Sequence, residues 1–190
     1  MHGTGGSWRG FIFLRRERVD IWASIGVTMI AEDAWGKRWS NCAHPLSHEF
    51  MRVATEKESL VVLAADEPSV GGILRLIESV GDSVCALKTH VDMVQGFNAE
   101  DWSMVVDSAR SKNMLLFEDR KFADIGKVTK TQMGGLYDIR SWADLVTSHS
   151  ISGPDIIDGI AAGWEDVERI GGVLLLAQMS SSNNLLDEEY

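Results

Sequence analysis

The feature that most constrains the fold of this chain is a rhythm that sets in at Leu60, where short apolar runs begin to alternate with helical patterns. The runs are Leu60 to Ala65, Val84 to Leu87, Met114 to Phe117, Ala143 to Thr147 and Val173 to Ala177. Their starts lie about 24 to 30 residues apart, the length of one strand, one crossover helix and two loops. Between the first two runs, Val70, Ile73, Leu74 and Ile77 fall at i, i+3, i+4 and i+7 and make one apolar helix face. Between the second and third, Asn98 is placed to cap a helix whose inner face is Trp102, Val105, Val106 and Ala109. Pro154 suits the first turn of a further helix carrying Ile156, Ile157 and Ile160, and Leu46, Phe50, Val53 and Ala54 predict a helix before the first strand.

Such a repeat fits either a (β/α) barrel or a doubly wound sheet, and the polar residues favour the barrel. No G-x-G-x-x-G follows the first strand, which weakens the dinucleotide-binding form of the doubly wound fold. Instead Asp66, Lys88, Asp119, Lys121 and Ser180 sit at the carboxyl ends of successive runs, positions that converge on one mouth in a barrel. The expected fold class is therefore α/β, of the (β/α)8 TIM-barrel type, with about five βα units in this sequence.

Residues 1 to 40 have a different composition, with six Lys or Arg against four Asp or Glu, whereas the remainder holds twelve against twenty-four. Four of the seven tryptophans also fall there, so the expected organisation is an N-terminal extension over residues 1–42 and one barrel domain over residues 43–190. A formal net charge of -10 argues against nucleic acid or an anionic membrane as a partner. The apolar tract near Ile21 to Ala31 is too short to span a bilayer. Cys42 and Cys85 are far apart with no C-x-x-C pattern, which suits a reducing, cytoplasmic setting and a buried thiol at Cys85.

The densest chemistry lies in Phe117-Glu118-Asp119-Arg120-Lys121-Phe122-Ala123-Asp124-Ile125-Gly126, where charges follow directly on an apolar run. A solvated βα loop is the plain reading of such a stretch. If Asp119 and Lys121 share a cavity with further carboxylates, the lysine is held protonated and becomes a positioned acid.

The run LLFEDRKFADIG, with ALKTHVD upstream and LLLAQMSSS downstream, resembles orotidine 5'-monophosphate decarboxylase of the eukaryotic type. WADLVTSHSISGPDII is similar to that family's fourth strand and the loop after it. The shorter D-x-K-x-x-D core is shared with keto-gulonate phosphate decarboxylase and hexulose phosphate synthase. The resemblance implies conversion of orotidine 5'-monophosphate to uridine 5'-monophosphate without metal, flavin or pyridoxal, with Lys121 protonating a carbanion at C6. It implies catalytic roles for Lys121, Asp119, Asp124 and Lys88, ribose contacts from Asp66, Lys88 and His90, and a pyrimidine contact from Ser180. It further implies a homodimer in which Asp124 serves the partner's site.

Two departures from the family pattern stand out. After Asp124-Ile125-Gly126 the family has Asn-Thr where this chain has Lys127-Val128, and Thr129 comes one residue late. On a helix that shift turns the side chain by about 100°, so the threonine's role is not carried over. The family's phosphate contacts, a glutamine, a tyrosine and an arginine followed by glycine, have no counterpart after Ser180. These residues are thus expected to correspond to the first part of the domain and, alone, to be inactive. The alternative expectation is a noncatalytic fragment that associates through exposed sheet edges.

Overall fold

In the computed structural model, which describes residues 44–177 and 179–182, the apolar runs become five parallel strands. They are β1 (Val62–Ala64), β2 (Ala86–Thr89), β3 (Leu115–Phe122), β4 (Leu145–Ser148) and β5 (Gly172–Leu175). Each strand pairs with its sequence neighbour, giving the order β1-β2-β3-β4-β5 expected of consecutive barrel units. The expected extension over residues 1–42, Cys42 included, lies outside the described residues.

Four of the helices lie where the sequence pattern puts them, and two more follow β3. α1 (Pro45–Glu56) precedes the sheet, α2 (Val70–Val80) and α3 (Ala99–Ser111) cross over after β1 and β2, and α4 (Gly126–Met133) and the short α5 (Ile139–Trp142) follow β3. α6 (Asp155–Glu165) joins β4 to β5. Asn98 caps α3 by accepting the Asp101 N–H at 2.8 Å, and Ser69 caps α2 by accepting the Gly72 N–H at 3.2 Å.

Strand side chains alternate between two apolar layers, which identifies the two faces of the sheet. Leu63, Leu87, Leu116, Val146 and Val173 pack among Ile73, Ile77, Trp102, Val105, Ile156 and Ile160 of the crossover helices. Each large aliphatic side chain buried there contributes about 1.5–3 kcal/mol. On the opposite face, Val62, Ala86, Leu115, Phe117, Leu145 and Leu174 meet Leu46, Phe50, Val53 and Ala54 of α1. The register carries this second face onward to Lys88, Asp119 and Thr147, so it is apolar toward the amino ends of the strands and charged toward their carboxyl ends.

None of the strands coincides with its apolar run, and two of the differences have a clear cause. β3 does not stop at Phe117 but runs to Phe122, so the charged stretch is strand and not loop. The register explains it, because Glu118 pairs with Val146 and Phe122 with Ser148, leaving two extra residues on β3 as a bulge. β4 starts at Leu145 and not at Ala143, because the Ala143 N–H still bonds to the Ile139 carbonyl and ends α5.

α4 and α6 approach so closely that no side chain fits between them at two points. A Cβ on Gly126 would run into the Asp155 carbonyl, and one on Gly159 into the carbonyl of Gly126. This contact anchors the start of α4, and with it the segment bearing Asp124.

Candidate active site

Four of the residues singled out from the sequence meet at the carboxyl end of the charged face. Lys88 points from β2 with only 4% of its surface exposed, and its Nζ lies 3.4 Å from Asp119 Oδ2 and 3.4 Å from Asp66 Oδ1. A buried ammonium needs such partners. Lys121 Nζ forms the closest pair, 2.7 Å from Asp119 Oδ2. Asp119 thus stands between two lysines. Burial opposes its ionisation, but the Lys121 contact, the Thr147 hydroxyl and the Lys88 charge together hold its carboxyl below the usual range.

His90 joins the cluster through its ring. Lys88 Nζ lies 3.1 Å from His90 Nε2, and a lysine ammonium can only donate, so Nε2 is the acceptor and the neutral ring carries its proton on Nδ1. Burial and then the Lys88 charge lower the histidine's pKa, in agreement with that protonation state. Because Nε2 is already the acceptor, the 3.5 Å separation from Asp119 Oδ2 is proximity and not an ion pair.

Asp124 and Ser180 stand apart from this cluster. Asp124 is exposed, and its Oδ1 accepts the N–H of its neighbour Ile125 at 2.8 Å. Ser180 is exposed beyond the end of β5 and takes no part in the ion pairs around Asp119. Thr129, the displaced threonine, is fully buried and donates its hydroxyl to the Asp124 carbonyl at 3.1 Å, while Val128 is exposed in the preceding position. The shift of one residue has turned the hydroxyl into its own chain.

Comparison with known proteins then decides the family. The family model for "Orotidine 5'-phosphate decarboxylase / HUMPS family" matches residues 59–189. The chain belongs to that family. Orotidine 5'-phosphate decarboxylase of Schizosaccharomyces pombe is 35% identical over 158 residues, covering 83% of this chain and 59% of that protein. The enzyme of the same name from Saccharomyces cerevisiae is 36% identical over 149 residues, covering 77% of this chain and 56% of its own length. The chain therefore spans between half and two thirds of these relatives. Among solved structures, a putative orotidine 5'-phosphate decarboxylase from Streptomyces avermitilis aligns with a TM-score of 0.56 at 18% identity, covering 73% of this chain and 55% of that one. Orotidine 5'-monophosphate decarboxylase from Methanocaldococcus jannaschii aligns at 0.52 and 21% identity, covering 65% and 57%. These place the five strands in the barrel fold of the decarboxylase family.

Within this member of the decarboxylase / HUMPS family, two buried groups beside the cluster escaped the sequence reading. Thr147 on β4 contacts both Asp119 and Lys121. Glu118, counted earlier as one charge in a solvated loop, is 0% exposed on the helix-covered face of β3. It accepts the Thr89 hydroxyl at 2.7 Å and the Val91 N–H at 3.1 Å, clasping both neighbours of His90. Only its place next to Asp119 hinted at this, because the donors come from β2 and the turn that follows it.

Burial lifts the Glu118 pKa from 4.5 to about 8, more than its two hydrogen bonds lower it. The stability associated with the neutral acid is fully present below about pH 4.5 and is lost as pH rises toward 8, with a slope of up to about 1.4 kcal/mol per pH unit. Glu118→Gln removes this titration. Urea unfolding between about pH 5 and 8.5 should show the wild type losing stability relative to Glu118→Gln as pH rises. Parallel curves would mean that the carboxyl ionises normally.

Proposed function

We propose that the protein decarboxylates orotidine 5'-monophosphate to uridine 5'-monophosphate, a step of de novo pyrimidine biosynthesis. The observation that carries this reading is the Asp66, Lys88, Asp119 and Lys121 array at the strand ends, in a chain whose relatives are named for that reaction. Lys121 is the reacting group. Its ammonium is held 2.7 Å from Asp119 yet remains one-third exposed, so it is fixed on one side and open to a substrate on the other.

In the reaction, the bond between C6 and the carboxylate breaks, carbon dioxide leaves, and the electron pair stays on C6. The Lys121 ammonium stabilises that developing charge and then donates its proton to C6, and solvent reprotonates the amine. Little reorganisation is needed, because Asp119 and Lys88 already fix the surrounding charges. Repulsion between Asp119 and the substrate carboxylate is secondary, since Asp119 is engaged by Lys121, Lys88 and the Thr147 hydroxyl. Asp66, Lys88 and His90 bind the ribose hydroxyls, and Ser180 contacts the pyrimidine when the substrate is seated. The protein acts in the cytoplasm, a setting that suits the free, buried thiol of Cys85.

The working unit in this proposal is a homodimer in which Asp124 reaches the partner's Lys121. The carboxylate is exposed and lies outside its own chain's cluster, and the neighbouring Ile125 is 60% exposed, an apolar surface next to an acidic group. Mixing Asp124→Ala with Lys121→Ala subunits of a version completed to the length of the relatives should therefore return about a quarter of wild-type turnover, since half of the dimers are mixed and each has one intact site. No recovery after proven subunit exchange would assign Asp124 to its own chain.

Activity itself is tested on a version completed to the length of the relatives, since these residues alone are expected to be inactive, by incubating it with orotidine 5'-monophosphate and following uridine 5'-monophosphate by chromatography. Formation of product that disappears in Lys121→Ala supports the assignment, and absence of product overturns it. A second reading, association without catalysis, is favoured by β1 and β5 each having a strand neighbour on one side only among the described residues. Sedimentation distinguishes the two, because edge pairing is open-ended and gives assemblies beyond the dimer.

A further inference from the structure

We infer that Thr147 is a positioning residue for the acid and base of this site, its single hydroxyl clamping the Asp119 carboxylate and the Lys121 backbone together. The inference rests on the proposed decarboxylation for its kinetic consequence, although the clamp itself is a feature of the fold. Thr147 Oγ1 donates to Asp119 Oδ1 at 2.8 Å and accepts the Lys121 N–H at 2.8 Å. One donor and one acceptor are thereby used at once, in a residue 4% exposed where water has little access to replace them.

The position of this hydroxyl gives it leverage. Asp119, Arg120 and Lys121 form the bulged part of β3, opposite the single residue Thr147 between the paired positions Val146 and Ser148. Lys121 has φ +52°, a left-handed conformation that costs a non-glycine residue about 1 kcal/mol or more. In a regular ladder its N–H would meet a main-chain carbonyl, whereas in the bulge it meets the threonine side chain. The hydroxyl therefore holds Lys121 in the turn that folds its ammonium back to Asp119 Oδ2, while fixing the other oxygen of the same carboxylate.

Two features separate this role from ordinary packing. A methyl group in place of the hydroxyl preserves the volume but leaves both the Lys121 N–H and Asp119 Oδ1 without that partner. The β-carbon branching is also unnecessary, so serine should suffice. In the completed version, Thr147→Val should lower kcat by about 10- to 100-fold with a smaller change in KM, because the reacting ammonium is misplaced and the nucleotide contacts are not. Thr147→Ser should stay within about threefold of wild type.

The acidic limb of the kcat profile provides a readout that lost packing would not move. Asp119 is faced by Lys121 on its own strand, Lys88 on β2, His90 and Asp66 beyond β2 and β1, and Glu118 beside it. Loss of the Thr147 hydrogen bond raises the pH at which Asp119 protonates, so the limb should move upward in Thr147→Val and stay in place in Thr147→Ser. Amide hydrogen exchange at Lys121, measured by NMR in the same proteins, should accelerate at least about tenfold in the valine variant alone.

Wild-type kcat, pH limb and Lys121 exchange in Thr147→Val would overturn the clamp, as would equal losses in the serine and valine variants. If Thr147→Val does not fold, Thr147→Cys, close in size and a weak donor, takes its place with the same expected direction. If the completed wild type produces no uridine 5'-monophosphate, the decarboxylation assignment fails on its own, and the exchange at Lys121 still decides whether the hydroxyl holds the bulge.

Discussion

In a version completed to the length of the relatives, Lys121→Ala is expected to lower kcat for orotidine 5'-monophosphate by at least about 10³-fold while uridine 5'-monophosphate binds within about threefold of its wild-type affinity. The size of the effect follows from two functions residing in one ammonium, stabilisation of charge at C6 and delivery of the proton. Each of these grows in the transition state and is small in the ground state, so the loss falls on kcat. Binding survives because the groups assigned to the ribose, Asp66, Lys88 and His90, keep their contacts with one another. Asp119 also remains paired, through Lys88 Nζ at 3.4 Å and the Thr147 hydroxyl at 2.8 Å, so the variant does not leave a bare buried carboxylate. Single-turnover kinetics together with product titration measure the two quantities separately. A variant that turns over near the wild-type rate would remove Lys121 from the chemistry, and one that loses both rate and affinity equally would give it a binding role instead.

Much of this arrangement is legible in the sequence, because it depends on local pattern. The spacing of the apolar runs announced five parallel units, and Val70, Ile73 and Ile77 announced the buried face of α2. Asn98 marked the start of α3 because a cap is chemistry between residues three apart. The length of β3 was not legible, since Glu118 to Lys121 look like solvent-exposed charges until other strands supply their partners. Thr89 and Val91 offset part of the cost of burying Glu118, and both lie far from it in sequence. The left-handed turn at Lys121 likewise depends on Thr147, a residue that reads as an ordinary strand threonine. Charged strand residues at a functional site violate the usual pattern because the site itself stabilises them.

At the opposite end of the sheet, Asp144→Ala is expected to destabilise the fold by about 2–3 kcal/mol, less than a fully buried pair because solvent reaches the arginines. Asp144 precedes β4, and its carboxylate receives both terminal nitrogens of Arg110 at 2.7 Å and one of Arg169 at 2.7 Å. It also accepts the Leu116 N–H at 2.8 Å, in the middle of the apolar layer. Removing it therefore leaves the exposed Arg110 and the partly buried Arg169 guanidinium groups facing each other and a strand N–H with no acceptor. Trp142 and Arg140 carbonyls retain some of the arginine donors, but neither can offset the charge. Replacing all three side chains, as in Arg110→Met, Asp144→Leu and Arg169→Met, should recover part of the loss, since an apolar substitute removes the unpaired charges together. Recovery stays incomplete because Leu116 still lacks its acceptor. Denaturant unfolding of the single and triple variants gives the comparison. A single variant within about 1 kcal/mol of wild type would show that water solvates the two arginines as well as the carboxylate does.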